Sequence, residues 1–223
     1  MAKPFRVAER VYLVGDSDVS HPYDCCVYLI DGGELLLIDA GAGRSYDRIV
    51  SNIESLGFDL ARLKTVLATH GHIDHIGALH EFRDRLGAKI VAHELDSDAI
   101  EKGHGTAAEV YRVRYVPCPV DVRLQGSESM LEVGDLVVNV VHIPGHTPGS
   151  IAAYIDVGGK RVLFGQDIHG PYYIEWGADP AAARQSLLRL MELGADVLCE
   201  GHFGIYEPAS AVERYIMQYV NSL

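Results

Sequence analysis

Short apolar runs and amphipathic repeats alternate along this chain of 223 residues. Val11–Val14, Cys25–Ile30 and Leu35–Ile38 predict strands, and Asp31-Gly32-Gly33 between the last two predicts a hairpin turn. From Tyr46 the spacing changes. Ile49, Val50, Ile53 and Leu56 recur at three- and four-residue intervals up to Gly57, the pattern of an amphipathic helix with a glycine stop. Val66-Leu67-Ala68 predicts a buried strand. Ile76, Leu79, Phe82 and Leu86 then predict one helix ending at Gly87, Ile90-Val91 a strand, and Glu94–Glu101 a further helix.

The second half repeats this order. Leu136–Val141 follows the Gly134-Asp135 turn as a strand, and Ile151–Ile155 and Arg161–Phe164 form a hairpin around Gly158-Gly159. Asp179-Pro180 opens a helix by its capping chemistry, with Ala183, Leu187, Leu190 and Met191 as its apolar face. Val197-Leu198-Cys199 is the next strand, and Val212, Tyr215, Ile216, Tyr219 and Val220 mark a closing helix. The pattern supports a mixed α and β domain with two sheets, and one domain over residues 1–223 is expected. Gly103–Pro119, containing Tyr111 and Arg114 among glycines and prolines, breaks the pattern. It is expected to be a binding lid, a subunit contact or a surface packing segment.

Composition narrows the function. A formal net charge of −12 opposes nucleic acid, which is gripped through Lys and Arg. No segment has the eighteen or so apolar residues needed to span a bilayer. The start, Met-Ala-Lys-Pro-Phe-Arg, has no apolar signal-peptide core, and Cys25, Cys26, Cys118 and Cys199 show no disulfide framework, so a cytoplasmic location is expected.

The chemistry concentrates in Thr69–His75, Thr-His-Gly-His-Ile-Asp-His, directly after the strand Val66–Ala68. Three imidazoles and a carboxylate in so short a stretch suit a metal site. Side chains two apart at a strand end, His70 and His72, point the same way and can close on one ion, whereas Asp74 and His75 point elsewhere. Four donors so arranged are more naturally shared between two adjacent ions. Elsewhere, His93 is expected to be a hydrogen-bonded structural histidine and His21 an exposed loop residue.

H-x-H-x-D-H after a buried strand resembles the signature of the metallo-β-lactamase superfamily. His146 in Pro-Gly-His-Thr-Pro-Gly-Ser, Asp167 in Phe-Gly-Gln-Asp and His202 in Glu-Gly-His resemble its later motifs in their usual order, from about Val27 to His202. The resemblance implies an α+β fold of four layers, an αββα sandwich. It implies one ion on His70, His72 and His146, a second on Asp74, His75 and His202, and Asp167 bridging them. Asp39, in a turn resembling D-x-G, would support the ligands. A bridging hydroxide would be the nucleophile, with Asp74 orienting it or moving its proton. Zinc is the default metal, with iron and manganese as alternatives.

The branch implied is the hydrolases of small esters, thioesters or lactones. A β-lactamase of the best-known type has Cys at Asp167. Glyoxalase II-type thioesterases share all seven ligands, but their basic helical extension after Tyr215 is missing. Homoserine lactone hydrolases also share the ligands and place a tyrosine soon after the bridging aspartate, a spacing that Tyr172 and Tyr173 do not match. The remaining alternatives are a mononuclear non-haem iron oxygenase of the persulfide dioxygenase type, whose Arg-Thr-Asp-Phe stretch is absent here, and a non-catalytic binding protein on the same scaffold. Tyr111, Arg114, His169, Tyr172, Tyr173 and Trp176 are the expected pocket walls for a small-molecule substrate.

Overall fold

The computed structural model describes residues 2–223. Strands β1 (Phe5–Ala8), β2 (Val11–Gly15), β3 (Val27–Asp31) and β4 (Leu35–Ile38) form an antiparallel run. Helix α1 (Tyr46–Ser55) leads to β5 (Leu63–Leu67), parallel to β4. Helices α2 (Ile73–Ile76) and α3 (Leu79–Leu86) lead to β6 (Lys89–His93), and α4 (Ser97–Lys102) and α5 (Ala108–Tyr111) to β7 (Val122–Leu124). Both strands continue the parallel half, so one sheet runs β1 to β7 in sequence order.

The second sheet begins with the antiparallel strands β8 (Glu128–Val133), β9 (Leu136–His142), β10 (Ile151–Val157) and β11 (Lys160–Gln166). Helix α6 (Pro180–Glu192) then crosses to β12 (Val197–Glu200), parallel to β11. Strand β13 (Ile205–Tyr206) and helix α7 (Ala209–Val220) complete the chain.

Alternation along the strands sorts the apolar residues into layers, because successive side chains point to opposite faces. In β4, Leu36 and Ile38 join the core between the sheets with Tyr28, Ile155, Phe164 and Val197. Leu35 and Leu37 face outward against Ile49 and Ile53 of α1 and Phe82 of α3. On the far side, Leu163 and Leu198 pack against Leu187 and Leu190 of α6 and Ile216 of α7. A sheet covered on both faces needs continuous apolar strands, and β4 is buried at every position. The expected αββα layering is the fold observed.

The structure departs from the periodicity at a few points. The helix expected through Ile76 and Leu86 is two helices separated at Gly77-Ala78. Gly77 lies against the backbone of Ala42 and Gly43 so closely that a Cβ there would sit 2.2 Å from the Ala42 carbonyl carbon, and its amide donates to Gly41 O at 2.8 Å. The chain therefore kinks, and α2 points its donors independently of α3. Strands β1, β7 and β8 carry no strong apolar pattern because they are short or lie at sheet edges, where half the side chains face water.

Candidate metal centre

Each strand that ends near the site delivers its functional residues from its C-terminal end. His70 and His72 follow β5, His146 follows β9, Asp167 follows β11 and His202 follows β12, while Asp74 and His75 stand in the first turn of α2. The loops from both sheets converge, so donors as far apart in sequence as Asp74 and His202 share one group.

The donors fall into two sets. In the first, His72 Nδ1 lies 3.1 Å from His70 Nε2 and 2.9 Å from His146 Nε2. In the second, His202 Nε2 lies 3.3 Å from His75 Nε2 and 3.2 Å from Asp74 Oδ2. Asp167 reaches both. Its Oδ2 is 3.8 Å from His70 Nε2 and 3.4 Å from His146 Nε2, and its Oδ1 is 3.2 Å from His75 Nε2 and 3.5 Å from His202 Nε2.

These separations fit a divalent ion in each set. Tetrahedral zinc with bonds near 2.0–2.1 Å spaces its donors by about 3.3 Å. Imidazole nitrogens packed edge to edge cannot all satisfy one another by hydrogen bonding, and Asp167 Oδ1 is buried without a hydrogen-bond partner.

Charge separates the two sets as well. Burial lowers the His70 and His72 pKa values and takes His146 down to about 3, so the first set is neutral, the state in which imidazole donates to a metal. Burial would also lower His202, but the carboxylates of Asp167 and Asp74 beside it raise it to about 10. Burial would raise Asp167 in turn, yet His75 and His202 hold it well below the usual carboxylate range. The second set is therefore an imidazolium and carboxylate cluster in the metal-free protein, and an ion entering it would displace protons.

Three buried carboxylates fix the donors. Asp39 accepts from Thr69 N and Thr69 Oγ1, each at 2.8 Å, and its Oδ2 lies 2.8 Å from His75 Nδ1, orienting that ring. Asp96 Oδ2 accepts from Gly71 N at 2.9 Å and from Thr147 Oγ1 at 2.6 Å, and its Oδ1 accepts from Gly149 N at 2.7 Å. It thus clamps the loop bearing His70 and His72 to the loop bearing His146. Glu200 Oε2 accepts from His202 N and Phe203 N, each at 2.7 Å, and its Oε1 lies 2.8 Å from His169 Nδ1. Asp96 and Glu200 escape a reading of the sequence, because an acid in a helical turn or at a strand end looks like a surface residue. The one local signal is Glu200-Gly201-His202, where a Cβ on Gly201 would meet Asp167 Oδ1 at 2.3 Å.

Residues 22–202 match the family model described as the metallo-beta-lactamase superfamily. The chain belongs to the metallo-β-lactamase superfamily. Within it, the chain is 26% identical to the acyl-coenzyme A thioesterase MBLAC2 of Gallus gallus over 244 aligned positions, covering 97% of this chain and 83% of that protein. It is 27% identical to the hydroxyacylglutathione hydrolase GloC of Haemophilus influenzae over 65% of this chain and 66% of that one. An uncharacterised protein of Aquifex aeolicus is 31% identical over 61% of this chain, and the match spans 60% of that protein's length. Among solved structures, a metallo-β-lactamase of Cronobacter sakazakii superposes with a TM-score of 0.85 at 21% identity, covering 100% of this chain and 95% of that one, which shows the shared fold.

In this superfamily chain a cavity of about 430 Å³ opens directly above the donors. Of the expected pocket residues, Tyr111, His169 and Trp176 line it. Tyr111 Oη donates to Asp74 Oδ2 at 3.0 Å, so the irregular segment 103–119 lies over the site through α5. Arg114, expected in the wall, is instead solvent-exposed outside the cavity, because the chain turns outward after Tyr111 through the left-handed Arg112 (φ 52°). Tyr172 is not in the lining either. Its hydroxyl donates to Ile168 O at 2.6 Å, and its ring stands edge-on behind His146. Tyr173 is exposed beside Trp176 and also lies outside the lining. His93 is buried and stacks on His142 with centroids 3.9 Å apart, away from the donors, and His21 is partly exposed beside Tyr23.

Proposed function

We propose that this superfamily member is a hydrolase of a small ester, thioester or lactone that works with two divalent ions, zinc by default with iron and manganese as alternatives. One observation carries the reading: seven donors form two convergent sets, and one carboxylate, Asp167, reaches both. His70, His72 and His146 would hold one ion, Asp74, His75 and His202 the other, with Asp167 between them. A mononuclear oxygenase needs only the first set, so the convergence of the second favours the dinuclear reading.

When bound, the two ions supply a water of lowered pKa and a Lewis acid for the substrate carbonyl. The chain's own groups do the remaining work. Asp74 orients the attacking water and accepts its proton, while Oη of Tyr111 donates a hydrogen bond towards the same carboxylate at the cavity floor. Burial, with Asp74 beside it, raises the Tyr111 pKa, so the phenol stays a donor and can follow the charge that develops on the departing oxygen or sulfur. The lid residues Ala107, Val110 and Tyr111 cover the reacting carbonyl. The thioester hydrolases among the relatives support the reaction class. We further read residues 1–223 as one domain, supported by the core that both sheets share. The four buried free cysteines support a cytoplasmic enzyme, and no helix among the described residues is long and apolar enough to cross a membrane.

Metal analysis of the purified chain, joined to a screen of esters, thioesters, lactones, lactams and phosphoesters, tests the proposal. Two ions per chain and turnover of a carbonyl substrate are expected, with His72→Ala lowering occupancy and kcat/KM by at least a hundredfold. A stoichiometry of one ion after saturation with zinc, iron or manganese sinks the dinuclear reading.

A further inference from the structure

The cavity above the donors has a polar floor and apolar banks. On the lid bank Val110 is 57% exposed and stands with Ala107 and Tyr111. On the opposite bank Phe203 is 60% exposed and Trp176 37%, with Pro171 beside them in the lining. Beyond Trp176 the apolar surface continues through Tyr173, whose ring centroid is 5.1 Å from that of Trp176, and Ile174, which is 73% exposed. Val110 belongs to α5, Trp176 to a short turn ahead of α6, and Phe203 to the loop after β12. Three separate elements place large apolar side chains in water around one opening. Such a convergent patch marks a surface that a ligand covers.

Charge points the same way. No Lys or Arg is among the described residues lining the cavity, whereas Asp74 and Asp167 are. Arg44, near the lid, is already engaged. It donates to Arg112 O at 2.9 Å and its guanidinium lies 5.6 Å from the centroid of the Tyr23 ring, and Tyr23 in turn meets the edge of Tyr111. A substrate arm bearing a carboxylate or phosphate would find no Lys or Arg along either bank, while an alkyl or aromatic arm would meet apolar side chains on both sides.

We propose that the substrate arm seated between α5 and the Trp176 and Phe203 bank is uncharged and apolar, an alkyl chain or aromatic ring joined to the scissile carbonyl. This rests on the hydrolase reading for the reaction, but not for the binding of the arm. The cavity volume of about 430 Å³ suits one such arm. A second groove, of about 270 Å³, lies behind Trp176 and is lined by Leu95, Ala99 and Pro148 together with Asp98 and His104, so the indole separates the apolar cavity mouth from a more polar recess.

Trp176 is the single tryptophan of the chain, so its fluorescence reports occupancy of the mouth with or without metal. The experiment titrates the metal-free chain with n-alkanols of two to eight carbons and with ω-hydroxycarboxylates of matched length. In parallel, kcat/KM of the zinc-loaded chain is measured for neutral thioesters and for the same thioesters ending in a carboxylate. Burial of each methylene should tighten alkanol binding about three- to fourfold, and kcat/KM should rise in step. The terminal carboxylate should weaken binding and kcat/KM at least tenfold, and Val110→Lys should narrow that gap.

Alkanol binding that does not strengthen with length, or carboxylate compounds bound or hydrolysed as well as the neutral ones, overturns the proposal even when turnover is brisk. Alkanol binding of the expected form with no thioester, ester or lactone hydrolysed supports the apolar arm and overturns the hydrolase reading instead.

Discussion

At the scale of single residues, the donors are held by carboxylates that hydrogen-bond backbone and rings around them. Asp96 joins the β5 and β9 loops through three hydrogen bonds, all buried. Replacing it with Ala leaves two backbone amides without their acceptor and the Thr147 hydroxyl with Ser150 Oγ alone. Asp96→Ala should cost roughly 2–4 kcal/mol in unfolding free energy. It should also lower metal affinity about 10–100-fold, as loss of a supporting group does. Asp96→Asn, which keeps one carbonyl oxygen, should recover part of both. Chemical denaturation and zinc titration with a competing chelator check this, and an Ala variant with wild-type zinc affinity would show that the clamp does not position the site. His70, His72, Asp74 and His75 could be read from the chain, since histidine and aspartate in H-x-H-x-D-H have few other uses, whereas His146, Asp167 and His202 were implied by the family resemblance. Asp96 could not be read, because its partners, two backbone amides and a hydroxyl, lie on segments 25 to 53 residues away.

At the scale of elements, the helices that cover the second sheet are built by local rules. Asp179 accepts from Ala181 N and Ala182 N at 2.9 and 3.0 Å, and Pro180 sits where a missing N–H costs nothing. The amide of Asp179 donates to Gly145 O, tying the start of α6 to the loop before His146. Asp179→Ala removes the cap but keeps that backbone bond. A loss of about 1 kcal/mol in stability is expected. Zinc content and kcat/KM should be unchanged, and a fall in either would mean that the cap, and not the backbone bond, steadies the His146 loop. Helix α6 was legible because its cap and its apolar face are both written locally. The break between α2 and α3 was not, since it is set by the backbone of Ala42 and Gly43 pressing on Gly77. Strand β8 was hidden for a related reason: as an edge strand with mostly exposed or half-buried residues, it has little hydrophobic pattern to show.

At the scale of the whole molecule, the two sheets meet through the central core and through paired groups at their ends. His93 closes β6 in one sheet and His142 closes β9 in the other, and their rings stack with planes 8° apart. Burial, and then repulsion from His142, lowers the His93 pKa below its ordinary 6.5. The unfolded chain therefore binds this proton more readily than the folded one. The stabilising contribution is complete above about pH 6.5 and is lost as pH falls through that value towards the lowered folded pKa. In the metal-free protein, stability should drop between pH 7 and pH 5 by less in His93→Phe than in the wild type. Urea titrations at several pH values test this, and equal slopes would remove the stack from the account. The sequence by itself determined two strand-rich halves of a mixed α and β domain and the donor cluster His70, His72, Asp74 and His75, because hydrophobic period and donor chemistry are local properties of the chain; the αββα layering and the donors His146, Asp167 and His202 were implied by the family resemblance. Only the tertiary structure decided that Tyr111 reaches Asp74 while Arg114 turns to solvent, and that Val110, Trp176 and Phe203 surround one opening. Those relations depend on how loops from two sheets meet at one edge of the sandwich, and packing between distant segments leaves no period along the chain from which to read it.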